Sequence, residues 1–154
     1  MPSVSRLRRR RHCSRYPLPP STRQRQGRRG RPAMSFDAAG RPQPSPRLFK
    51  VRRLIERCYA DPLSPGRMAR HAGFTATELR RQFEVCFGTT PEAYLIACRM
   101  RAADRLLASG KAETDVALLV GYSSYRRFVG DRQRHERALR IAAGEAAMRA
   151  RLGV

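Results

Sequence analysis

The sequence predicts an all-α fold: two helix-turn-helix subdomains joined by a long linker helix, with a disordered basic N-terminal arm. Three observations predict it. Residues 67–83 read as a short helix, a turn at Gly73, and a second helix that starts at Thr75 and carries Arg80 and Arg81. A weaker echo over residues 116–128 repeats the pattern 48 positions on, Ala69 with Gly73 and Phe74 matching Ala117 with Gly121 and Tyr122. Between the two, apolar residues keep helical spacing from Pro91 to about Ser109. Two such units in one strongly basic chain point to duplex DNA as the ligand.

Composition narrows the setting. A chain of 154 residues holds one domain or two very small ones. Its formal charge of +21 attracts polyanions of any kind, so charge alone does not choose among DNA, RNA and anionic membrane. Residues 1–33 carry 11 Arg and no acid, whereas residues 34–154 carry 20 Arg, 2 Lys and 12 acids, a net of +10. The folded part therefore stays basic without the arm. Cys13, Cys58, Cys86 and Cys98 show no CxxC pair and fit no zinc module. Cys58 and Cys98 fall on apolar helix faces as buried small hydrophobes, and nothing suggests a disulfide scaffold. No run approaches the roughly 18–20 apolar residues of a membrane span, so no membrane partner is expected.

Taken in order, residues 1–45 form an arm rich in Arg, Pro, Ser and Gly with almost no periodic apolar residues. Three readings of it stand open: a basic arm that grips phosphates, an organellar transit peptide, or a translation start that really lies at Met34. The first helix begins near Ser45 and Pro46, with Leu48, Val51, Leu54, Ile55 and Cys58 on one side and Arg52, Arg53 and Arg57 on the other. Ser64 caps the next helix and Pro65 takes its first position. Gly73 ends that helix in the left-handed conformation. Thr75-Ala-Thr-Glu78 then makes a capping box for the helix that buries Leu79 and Phe83, leaving Arg80, Arg81 and Gln82 pointing away to varying degrees.

Gly88 stops this helix, and Thr90, Pro91 and Glu92 restart the chain. The helix to about Ser109 turns Leu95, Cys98, Ala102, Leu106 and Leu107 inward and spans roughly 27 Å at about 1.5 Å per residue. The second unit runs from Glu113 to about Asp131. Residues 132–154 are an Ala- and Arg-rich tail, helical but poorly patterned. About seven helices are expected in all.

Residues 46–131 resemble the DNA-binding domain of AraC-type (AraC/XylS) transcription regulators. The resemblance rests on Leu63, Ser64, Ala69, Gly73 and Phe74, then Leu79 and Phe83, then Phe87-Gly88-Thr-Thr-Pro91 with Tyr94 and Leu95. It continues through Arg99, Ala103, Leu106 and Leu107 to Val116, Ala117, Val120, Gly121, Tyr122, Ser124 and Phe128. It implies a sequence-specific regulator whose two units place their second helices in successive major-groove segments. Carried over by position, the base-reading candidates are Thr77, Arg80 and Arg81 in the first unit and Tyr125, Arg126 and Arg127 in the second. Arg reads guanine O6 and N7 together, and Thr touches a thymine methyl. Thr75, Ser123 and Ser124 are the phosphate candidates, at helix starts where amides face an anion. Double-stranded DNA is the implied partner, RNA polymerase a further candidate, and the cytoplasm beside the nucleoid the expected place. Oligomeric state is not readable.

Departures from the family pattern gather in the second unit. Glu113 occupies a position that family members fill with an aliphatic residue, harmful in a core unless the helix begins later. Arg132 replaces a second Phe, and a reading position falls at Gly130. Two rival readings follow: a non-specific nucleic-acid-binding basic protein, or an eroded or frameshifted regulator in which only the first unit works. No Gly-rich phosphate loop, nucleophile elbow or metal cluster stands out, so neither enzymatic activity nor a cofactor or metal is expected.

Overall fold

The computed structural model describes residues 42–152, together with 35, 36, 38 and 40. The chain forms helices α1 (Pro46–Cys58), α2 (Pro65–Ala72), α3 (Ala76–Phe87), α4 (Pro91–Ala108), α5 (Glu113–Leu119) and α6 (Tyr125–Leu152). A two-residue antiparallel pair, β1 (Ser35–Phe36) with β2 (Pro42–Gln43), precedes them. The all-α expectation is met, with six helices among the described residues where about seven were expected. The second helix of unit two and the tail are one continuous element of 28 residues. Nothing between Tyr125 and Leu152 stops it. There is no proline, and Gly130 and Gly144 each cost only about 1 kcal/mol against Ala among strong helix formers.

The β pair joins residues 35–36 to 42–43, and β2 packs against α3. Residues 1–34, and with them the three readings of the basic segment, lie outside the described residues.

Local signals set the helix ends. Ser64 Oγ accepts from the Arg67 amide, with Pro65 at the first helical position of α2. Gly73 closes α2 at φ 70°, where a side chain would be strained. Gly88 closes α3 at φ 68°, and the Thr90 hydroxyl caps α4.

The helices close over two apolar cores. The first takes Leu48, Val51, Leu54 and Ile55 from α1, Met68 and Ala69 from α2, Leu79 and Phe83 from α3, and Leu95 and Cys98 from α4. The second takes Met100, Ala102 and Ala103 from α4, Val116 and Ala117 from α5, Val120 and Tyr122 from the turn, and Phe128 from α6. α4 is thus shared, its first half in one core and its second half in the other. Leu106 and Leu107 turn inward as expected and pack half-buried against the second core, and Met100 and Ala103 are buried more deeply. Tyr59 packs against both cores. Cys58 and Cys98 are buried as expected, but Cys58 is disulfide-bonded, so the cysteines are not all free thiols. Among the described residues, no helix is long and apolar enough to cross a membrane.

Candidate nucleic-acid interface

α3 is fixed from its first residue. The Phe74 amide donates to Ala69 O at 2.9 Å, which folds the chain back after Gly73 and buries the Phe74 ring. The capping box then forms in full. Thr75 Oγ1 accepts from the Glu78 amide at 3.2 Å, and the Thr75 amide donates to Glu78 Oε2 at 3.0 Å. The Thr75 hydroxyl proton goes to the same carboxylate at 2.8 Å. Thr75 therefore has no spare hydroxyl proton for a phosphate. What α3 offers an anion is the amides of Ala76 and Thr77, which have no acceptor inside the helix.

Beyond the cap, Leu79, Gln82 and Phe83 turn into the core. The burial of Gln82, at 6 % exposure, corrects its placement among the outward residues. Phe83 anchors the helix through ring contacts with Phe87 at 4.6 Å and Tyr94 at 5.8 Å. Thr77, Arg80 and Arg81 are all exposed. At about 100° per residue they fall within an arc of roughly 100° opposite the buried side. Glu84, exposed on the same arc one turn on, was missed in the sequence because an acid reads as a solubility residue. Its carboxylate is an acceptor of the kind that pairs with cytosine N4.

Arg47 was missed for a different reason. Its guanidinium lies over the Phe74 ring at 6.0 Å, so α1 brings a cation to the residue that precedes the α3 cap. No local pattern links positions so far apart. His71, at the end of α2, is half-buried and faces Lys50; burial, then the Lys50 charge, pushes its pKa below the usual value.

The second head is built differently. Gly121 stands four residues before the first residue of α6, whereas Gly73 stands three before that of α3, so the second turn is one residue longer. Ser124 Oγ accepts from the Arg127 amide at 3.4 Å, and Ser124 O from the Phe128 amide at 3.1 Å, which makes Ser124 the cap. Counted from the caps, Arg126 stands where Thr77 stands, and Val129 and Gly130 stand where Arg80 and Arg81 stand. Ser123, Ser124, Tyr125, Arg126 and Arg127 are exposed. Phe128 and Asp131 turn inward, corresponding to Leu79 and Gln82.

Of the three reading candidates in this head, Arg126 points furthest from the buried side. Tyr125 stacks on Phe128 at 6.2 Å and donates its hydroxyl proton to Glu113 Oε2 at 3.0 Å, which raises its pKa. Arg127 lies close enough to Arg99 and Tyr122 for its charge to be felt by both. The structure thus brings Thr77, Arg80 and Arg81 onto one face, and it does not gather Tyr125, Arg126 and Arg127 in the same way.

The two departures flagged in the second unit meet each other. Glu113 is the first residue of α5, at the helix edge rather than in the core, and its carboxylate suits a helix N-terminus. Its Oε1 accepts from Arg132 Nη1 at 2.6 Å, and Arg132 Nε also donates to Glu136 at 3.0 Å. A charged pair holds α5 to α6 where the resemblance implied an apolar one. Deeper in, Tyr122 donates to buried Asp131 at 2.8 Å, and Asp131 also takes Arg134. Burial, followed by the Asp131 bond, pushes the Tyr122 pKa far above the ordinary tyrosine value. Among the described residues, no group of three His, Cys, Asp or Glu side chains is arranged to hold a metal.

Comparison with known proteins agrees with this geometry. Residues 68–140 match the family model of a helix-turn-helix domain, from α2 to the middle of α6. A search of curated proteins finds no match. Among solved structures, the chain is similar to one from Rhodopseudomonas palustris described as a "probable AraC family transcriptional regulator". The two share 23% identity at a TM-score of 0.54, over 59% of this chain and 87% of that one. At that identity the likeness is one of fold.

Proposed function

We propose that the chain, whose residues 68–140 match the family model of a helix-turn-helix domain, is an AraC-type DNA-binding regulator of transcription with two unequal reading heads. α3 enters the major groove and supplies most of the sequence preference, through Thr77, Arg80 and Arg81. α6 enters the next segment of groove, with Arg126 as its principal reader and Tyr125 and Arg127 at its flanks. The helix-start amides beside Thr75, with Ser123 and Ser124, take phosphates, and Arg47 joins them beside the start of α3. Phosphate contacts give affinity and register, and base-edge contacts give preference. RNA polymerase is the further partner that such regulation calls for, and the cytoplasm beside the nucleoid is its place. The protein acts by binding, without catalysis.

The observation that carries this reading is the exposed arc of Thr77, Arg80 and Arg81 on a fully capped helix whose opposite side is buried. The test is selection from a pool of random duplex DNA at near-physiological salt, where charges more than about 8 Å apart are screened. A motif of two blocks, with the stronger block lost at one base pair in Arg81→Ala, is the expected result. That loss amounts to about 1–3 kcal/mol. An Arg81→Ala protein with wild-type preference removes α3 from the reading role.

A second reading has its own support. Val129 and Gly130 leave α6 short of reading side chains, which favours a protein that reads through its first unit alone. A single short block in the selected pool is its signature. No enrichment at all, with steep salt dependence, would leave only a non-specific polyanion binder.

A further inference from the structure

Arg99 is the ninth of the eighteen residues of α4 and half-buried between the two cores. Its Nε donates to Tyr59 O at 2.8 Å and its Nη2 to Asp61 O at 3.1 Å. Tyr59 is the C-cap of α1, so the guanidinium closes the carbonyl end of that helix, where a cation is favoured. Cζ of the same guanidinium lies over the Tyr122 ring, 5.1 Å from its centroid, in the turn of the second unit. One side chain on the shared helix therefore grips the α1–α2 loop of the first unit and the α5–α6 turn of the second.

The two segments it grips also touch each other. A Cβ on Gly121 would lie 2.5 Å from Ala60 O, closer than real Cβ contacts come. Tyr122 is held in turn by its bond to Asp131 inside α6. The path from α1 to α6 runs through a backbone contact, a planar cation with two directed bonds, and a buried hydroxyl–carboxylate bond. Each of these is specific in direction. Burial lowers the Arg99 pKa, and its Tyr122 contact works against that shift.

We propose that Arg99 is a specificity-determining positioning residue: by locking the α1–α2 loop to the Gly121–Tyr122 turn it fixes α6 relative to α3, and so sets the spacing between the two half-sites the protein accepts. This rests on the two-headed reading above. Adding one base pair moves the second half-site about 3.4 Å along the axis and rotates it by roughly 35°. A locked pair of heads cannot follow both changes, whereas heads joined only by α4 and the remaining packing follow them in part.

The experiment uses the full chain and duplexes carrying the two selected blocks, with the spacer shortened by one base pair, unchanged, or lengthened by one or two. The wild-type protein should prefer its own spacer at least about tenfold over the altered ones, a penalty of about 1.4 kcal/mol. Arg99→Ala should flatten that preference to within roughly threefold, while binding a duplex with the first block alone as the wild type does. An unchanged spacer preference in Arg99→Ala overturns the proposal. So does loss of binding to the first block, which would make Arg99 a general support of the fold. If Arg99→Ala does not fold by circular dichroism, Arg99→Lys is read instead, since it keeps the charge but not the planar fork. A wild-type spacer preference in Arg99→Lys likewise overturns the proposal. Failure of the two-headed reading looks different: the wild type then selects one block only, before any variant is made.

Discussion

Replacing Gly121 by Ala tests the contact between the two units directly. Gly121 sits at φ 94°, and an added Cβ would meet Ala60 O at 2.5 Å, its carbonyl carbon at 2.8 Å and its Cα at 2.9 Å. All three are backbone atoms at the end of α1 and cannot swing aside as a side chain does. A carbon normally approaches a carbonyl oxygen to about 3.3–3.6 Å, so the backbones must part by close to 1 Å. A left-handed backbone costs a non-glycine residue about 1–2 kcal/mol. Overpacking at a contact that cannot relax costs about 1–3 kcal/mol. Together they reach about 2–5 kcal/mol, a large share of the 5–15 kcal/mol that hold a typical domain. Gly73 is the internal control. It has φ 70° with nothing within 4 Å of a built Cβ, so Gly73→Ala carries the backbone cost alone. Urea unfolding followed by helix content should show Gly121→Ala losing at least about 1 kcal/mol more than Gly73→Ala, or roughly 4–8 °C in Tm for a domain of this size. Equal losses in the two variants would mean that the units do not meet at Gly121 and Ala60, and would remove the backbone half of the Arg99 argument.

Two further outcomes follow from the second unit. Glu113→Leu and Arg132→Phe should each destabilise the protein while the double variant recovers part of the loss, because each single change breaks the tie between α5 and α6, leaving Arg132 with Glu136 and Glu113 with Tyr125. The pair is about a third exposed on both sides, which keeps its coupling near 0.5–1 kcal/mol in a double-mutant cycle; additive losses would show that the two side chains act independently. Tyr122 should resist ionisation well above the usual tyrosine pKa of 10, since burial and Asp131 hold its proton. A folded-state pKa raised in this way gives stability that is full below pH 10 and is lost as pH climbs toward the raised value. Tyr122→Phe should remove that alkaline dependence, and an ordinary tyrosinate titration at this position would count against the buried bond.

What the sequence made legible was what local chemistry decides. Ser64 with Pro65, Thr75 with Glu78, and Thr90 with Pro91 each marked a helix start within a few residues, and Gly73 and Gly88 marked the stops. These signals depend on backbone groups three or four positions away, so a reader of one chain has all the partners in view. Residues whose roles depend on distant partners were not legible. Arg99 reached the resemblance as a motif position, but its bonds to Tyr59 and Asp61 lie about forty residues back. Gln82 lies on the flank of α3, where helical period alone leaves burial undecided. Arg47 takes its place from Phe74, in the turn between α2 and α3. The extra residue in the second turn was hidden too, because matched glycines and aromatics suggested matched heads, and only the caps reveal the offset.

That offset changes what the departures mean. Glu113 and Arg132 read in isolation as damage to a core, yet each supplies the other's partner at the edge of α5 and α6. Phe128 and Asp131 meanwhile fill the same inward positions on α6 that Leu79 and Gln82 fill on α3. The frame of the second head is therefore sound in this structure, and what it lacks is a reading face, since Val129 and Gly130 stand at the positions of Arg80 and Arg81. Frame and face answer to different demands: the frame must hold α6 at a fixed distance and angle from α3, and the face must recognise bases. A head with a rigid frame and few readers still constrains where a protein sits on DNA, through phosphates and through Arg126 alone. Sequence preference should then concentrate in the block read by α3, while the second block contributes its position more than its letters.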